Sequence, residues 1–144
     1  MADQNPLQSI CDQIATAVGT AQGIRRASGT PPPQISVFPF VDVYVQAASW
    51  TPVPMKSMTG MLTVNVDLHL AMKDQVREVS MMHRLHYGIV NSLWKAMQNN
   101  KVPALQTINK AEAQMTVFSN GAGTRVDTVG YQFKLEVKYQ GVIT

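Results

Sequence analysis

Apolar residues take every second position along two stretches of this chain. In GMLTVNVDLHLAMK, residues 60–73, Leu62, Val64, Val66, Leu68 and Leu70 alternate with Thr63, Asn65, Asp67 and His69. In YQFKLEVKY, residues 131–139, Tyr131, Phe133, Leu135, Val137 and Tyr139 alternate with Gln132, Lys134, Glu136 and Lys138. Such period-two patterning predicts strands with one buried and one solvated face, as in an antiparallel sheet rather than a parallel sheet covered on both sides.

Elsewhere along the chain the period changes. Leu7, Ile10, Ile14, Val18 and Ala21 recur at spacings of three and four, predicting a helix over 3–23 with Asn5 and Pro6 at its start and Gly23 at its end. A second helix is predicted from Asp74, its cap, to about Gln98, with Asn99-Asn100 ending it. Its stripe of Val76, Val79, Met82, His86, Ile89, Leu93 and Met97 is widened by Leu85, Val90 and Trp94, and Glu78 lies near its positive end. The segment SGTPPPQ, 28–34, reads as a stiff polyproline-like spacer that is neither helix nor paired strand. Residues 35–47 form a strand with Val41, Val43 and Val45 on one face and Phe40, Asp42, Tyr44 and Gln46 on the other; Pro39 places it at an edge or starts it later. A long loop over 49–60, a weaker strand over 107–118, a glycine-rich connection over 119–124 and a last strand over 125–142, with a possible bulge at Gly130, complete the pattern. The expected fold is α+β: an antiparallel four-stranded sheet covered by two helices, in the order α-β-β-α-β-β, as a single domain over 1–144.

Charged residues make up only 15% of the chain, below the roughly 25% usual in soluble domains. A polar surface poor in charge is weakly protected against association, and nine methionines add adaptable apolar area. A net charge of +3, with Arg25-Arg26 as the one tight basic pair, argues against a dedicated nucleic-acid binder. The single cysteine, Cys11, excludes an intrachain disulfide and a cysteine-based zinc site, and its apolar helical setting reads as packing. No segment reads as a signal peptide or a membrane span, so a cytoplasmic site of synthesis is expected.

Catalytic patterns are equally sparse. No GxSxG, Walker or GxGxxG motif occurs, and NGAG at 120–123 lies between strands, where no helix end can cradle phosphate. His83 and His86 lie three apart on the second helix without the acid of a zincin pattern, so packing is the expected role. Asp42, Asp67, Glu112, Asp127 and Glu136 are spaced as solvated strand faces. These residues predict no catalytic, cofactor or metal site. A nucleic-acid-binding module would stack bases on Tyr44 and Phe40, but the basic residues are not gathered around them. A small hydrolase would need a nucleophile constellation that the chain does not spell out.

The order of an N-terminal helix, a proline-rich link, PFVDVYVQ, a long loop, LTVNVDLHLAM, the helix HRLHYGIVNSLWKAM and the closing strand YQFKLEVKYQGV resembles the tail terminator (tail completion) proteins of long-tailed bacteriophages. The likeness is one of element order and strand texture across nearly the whole chain. It implies a non-enzymatic virion protein without cofactor, assembled in the host cytoplasm as a homohexameric ring. Such a ring caps the tail tube protein, ends tube growth and meets the head–tail connector or neck proteins, while DNA passes through the channel without sequence-specific binding. A neck or connector protein is the alternative on the same texture. Contacts to tube or connector are expected from the loops 49–60 and 119–124, through Trp50, Met55, Met58 and Asn120, and from Arg125 next to the second loop.

Overall fold

Leu62, Val64, Val66, Leu68 and Leu70 are all buried in the computed structural model of the chain, which describes residues 6–30, 38–53, 57–71, 79–98, 108–118 and 128–142. These five side chains lie on the strand Ser57–Ala71, in the middle of the sheet. Each contributes about 2 kcal/mol by leaving water, which makes this strand the centre of the core.

The elements in chain order are α1 (Pro6–Val18), β1 (Arg26–Ser28), β2 (Phe40–Val53), β3 (Ser57–Ala71), α2 (Val79–Gln98), β4 (Ile108–Phe118) and β5 (Thr128–Val142). The sheet has five strands in the order β1-β2-β3-β5-β4. It is mixed, since β1 runs parallel to β2 while the other neighbours are antiparallel. The expected antiparallel four-stranded sheet is therefore corrected. The missing strand is Arg26–Ser28, paired with Phe40–Asp42 and led in by the Arg25 N–H donating to the Pro39 carbonyl at 3.0 Å. Three residues are too few to carry an alternation, and Ser28 belongs to this strand rather than to a spacer.

α1 also stops earlier than its apolar stripe. After Val18 the backbone turns through tight bonds, Thr20 N–H to Ala17 O (3.3 Å), Ala21 N–H to Val18 O (3.0 Å) and Ile24 N–H to Ala21 O (3.2 Å). Those turns keep Ala21 buried, so the stripe outlasts the helix. Gly23, at φ 95°, takes the left-handed conformation that other residues resist. The expected starts at Asn5 and at Asp74 with Glu78 lie outside the described residues, as do Val76 and the glycine-rich connection.

Both helices lie on one face of the sheet. α1 packs over β1 and β2, α2 packs over β5, and the helices touch each other. Ile10, Ile14 and Val18 of α1 meet Met82, Leu85, Ile89 and Leu93 of α2 in one core with the β3 and β5 residues. The face of β3 is thus shared by two helices. Val90 and Trp94, placed on the apolar stripe of α2 by their spacing, are instead exposed.

One register shift matters. β2 carries an extra residue between Val45 and Ala47 opposite Val64–Thr63. A single inserted residue reverses the facing of everything after it. Ala48 and Trp50 therefore join Val41, Val43 and Val45 on the helix-bearing face. Gly130, by contrast, is no bulge: it pairs in register with His69 on one side and Thr116 on the other.

Candidate functional site

The expected loop over 49–60 is mostly sheet. β2 and β3 pair as far as Val53–Ser57, with Trp50 opposite Gly60 and Pro52 opposite Met58. Trp50 lies over Gly60, where an added Cβ would stand 2.6 Å from its ring carbons. It also meets Tyr139 edge-on, with centroids 6.0 Å apart. A bare glycine is here roofed by an aromatic side chain from the next strand, which removes backbone from water without a clash. Trp50 remains 40% exposed, beyond the helices. Met58 lies on the same hairpin, in register with Gly141, whereas Met55, Asn120 and Arg125 lie outside the described residues.

The apolar face runs on past the helices at the other edge too. On β4, Ala111, Ala113 and Met115 pair with the buried Leu135, Phe133 and Tyr131, yet all three are exposed. β4 ends the sheet, and its outer edge has no partner strand among the described residues. Tyr87, Val90 and Trp94, spaced three and four apart on α2, form a second exposed apolar stripe.

The opposite face of the sheet departs from expectation. Asp42, Asn65, Asp67 and His69 were spaced as a solvated face, but all four are buried. Alternation tells which residues share a face and not whether that face is covered. Asp42 and Asp67 are direct cross-strand partners, an arrangement that like charges oppose. The Tyr44 hydroxyl donates to Asp67 Oδ2 at 3.0 Å, Gln132 Nε2 donates to Asp67 Oδ1 at 3.1 Å, and Asn65 Nδ2 donates to the Tyr44 oxygen at 3.2 Å. His69 Nε2 lies 3.4 Å from Asp42 Oδ1, and its ring is tilted against Phe40 at 6.3 Å. Burial, and then the charge of Asp42, raises the Asp67 pKa above the usual carboxylate range. Burial also raises that of Tyr44. One ligand atom each from Asp42, Asp67 and His69 falls within 4.8 Å of the others, so these residues form the donor set suited to a cation. The legible signal was Asp67-x-His69, two donors on one strand face.

The histidines singled out on α2 do not converge. His83 is exposed, while His86 packs edge-on against Tyr131 (4.4 Å) and Phe133 (5.0 Å). Burial, then the charge of His83, pushes the His86 pKa down. Cys11 is a packing residue: burial, with the charge of Asp12, pushes its thiol up to about 11, too high for a nucleophilic thiolate. Arg25 and Arg26 line an open depression of about 610 Å³ between α1 and β1, opposite Asp12. The stacking surface imagined for nucleic acid is lost, because Phe40 is 2% exposed and the Tyr44 hydroxyl is tied to Asp67. Among the described residues, no helix is long and apolar enough to cross a membrane. No protein-family model matches the chain, and no curated protein matches it.

Proposed function

We propose that this protein is a structural ring component of a bacteriophage tail, acting as a terminator that caps the tail tube. The observation that carries this reading is the apolar sheet face that continues, uncovered, onto the terminal strand β4. A ring closes through heterologous contacts, so each copy must offer two different faces to its neighbours. The β4 edge with Ala111, Ala113 and Met115 is one such face, and the α2 stripe of Tyr87, Val90 and Trp94 is a second. The Trp50 ledge at the far end of the β2–β3 hairpin is suited to meeting the tube protein or the connector, since an aromatic held by a rigid sheet makes a good anchor. In this reading the ring is a homohexamer assembled in the host cytoplasm and retained in the virion. DNA passes through its channel without sequence-specific binding.

The test is electron microscopy of particles made without the protein. Tails of irregular, excessive length are expected. Tails of uniform normal length that fail to join heads would refute the terminator reading and favour a neck protein. Native mass spectrometry of the purified chain should give a hexamer, alone or on tube ends. The double substitution Tyr87→Ser, Trp94→Ser should abolish it while leaving the fold intact.

A further inference from the structure

We propose that Asp42, Asp67 and His69 bind one borderline divalent cation of the Zn²⁺ class, holding β2 to β3 from the sheet's second face. The argument starts from charge. Two carboxylates are buried as direct cross-strand partners, 2% and 5% exposed, with an imidazole 2% exposed beside them. Uncompensated negative charge in such a place is costly. A divalent cation with a neutral imidazole balances both carboxylates at once.

Distance gives a second, independent reason. A charge-assisted N–H···O⁻ bond contracts to about 2.7–2.9 Å, whereas His69 Nε2 and Asp42 Oδ1 stand 3.4 Å apart. Two ligands on a tetrahedral ion with bonds of about 2.1 Å are separated by roughly 3.4 Å. The ligand atoms of the whole group already lie within 4.8 Å, so closing on an ion needs only small side-chain shifts.

The surroundings are those of a supported site. Tyr44 and Gln132 each donate to one oxygen of Asp67, the outer hydrogen bonding that fixes a ligating carboxylate. Asn65, 1% exposed and on the same strand face, keeps its Oδ1 buried without a hydrogen-bond partner. This neutral acceptor, or a water, can complete four-coordination. Two carboxylates and one imidazole, with no thiolate, suit Zn²⁺ better than soft ions, and the nitrogen ligand disfavours Mg²⁺ and Ca²⁺.

The test uses the tag-free full chain, refolded from denaturant with EDTA, Zn²⁺, Co²⁺ or Mg²⁺. Zn²⁺ at about a hundred times Kd should raise Tm by roughly 5–10 °C over EDTA, and Mg²⁺ should not. Metal analysis after desalting should give close to one Zn²⁺ per chain, and Co²⁺ should show the intense visible bands of a tetrahedral site. His69→Gln and Asp42→Asn should lose the rise. His83→Gln, at an exposed position of α2, should keep it. Equal melting in EDTA and Zn²⁺, or a rise that survives His69→Gln or vanishes in His83→Gln, would overturn the proposal. If His69→Gln does not fold, the stoichiometry and Co²⁺ spectrum of the wild-type chain decide: no retained metal, or an octahedral spectrum, refutes it.

Discussion

Replacing a glycine by alanine should have opposite effects at Gly130 and Gly88, and the sign follows from what a single methyl would meet. Gly130 is buried in β5, bound in register to β3 and to β4. A Cβ there would land on the Leu68 carbonyl oxygen, with the Leu68 carbonyl carbon 2.9 Å away. The obstacle is backbone, and β5 cannot slide because both its neighbours hold it. Overpacking of this kind costs about 1–3 kcal/mol, and the upper end applies where no side chain can swing aside. Alanine recovers roughly 0.5–1 kcal/mol by restricting the unfolded chain. The net expectation for Gly130→Ala is a loss of about 2 kcal/mol, or a Tm lower by roughly 4–8 °C in a chain of this size. At Gly88, inside α2, the added methyl would stand 3.7 Å from Ala21 Cβ, an ordinary contact. The helical preference for alanine then acts unopposed, and Gly88→Ala should gain about 0.5–1 kcal/mol. Urea unfolding followed by far-UV circular dichroism would read both, as midpoints moving in opposite directions. A Gly130→Ala midpoint at or above that of the wild type would refute the close approach of β5 to β3.

Tyr44→Phe removes the hydroxyl that joins Asn65 to Asp67 and leaves two buried groups short of a partner. A loss of about 1–3 kcal/mol is expected in the same unfolding assay, and an unchanged midpoint would mean the network is not formed. Trp50→Ala uncovers Gly60 and strips Tyr139 of its edge-on neighbour. It should cost about 2 kcal/mol while the chain still folds, and particle assembly should fall by more than that loss explains; normal yields would remove Trp50 from the contact surface.

The parts of the fold that were legible are those whose pattern is long. β3 and β5 announced themselves through alternation, and α2 through the recurrence of Met82, Leu85, Ile89 and Leu93. β1 was invisible because Arg26–Ser28 is too short to alternate and pairs parallel with a strand beyond a proline-rich segment. The extra residue between Val45 and Ala47 was hidden because nothing in QAASW marks a bulge, so Trp50 read as loop rather than as part of the helix-bearing face. Val90 and Trp94 misled because spacing alone does not tell how wide a buried stripe is. The buried group of Asp42, Asp67 and His69 went unrecognised for a different reason. Its members share a face by alternation, but cross-strand register, which sequence spacing does not supply, brings Asp42 to Asp67.

The place of β5 in the sheet also governs how the chain comes off the ribosome. β5 lies between β3 and β4 although it follows both in sequence. Until Val142 emerges, 24 residues after Phe118 (142 − 118), β4 has no neighbour and β3 is paired on one side only. At roughly 5–20 residues per second that interval lasts on the order of seconds. Throughout it the nascent chain carries one open edge on β3 and two on β4, flanked by aliphatic side chains. The same strand that knits the mature sheet together thus leaves its biosynthetic precursor with edges open to association with other chains.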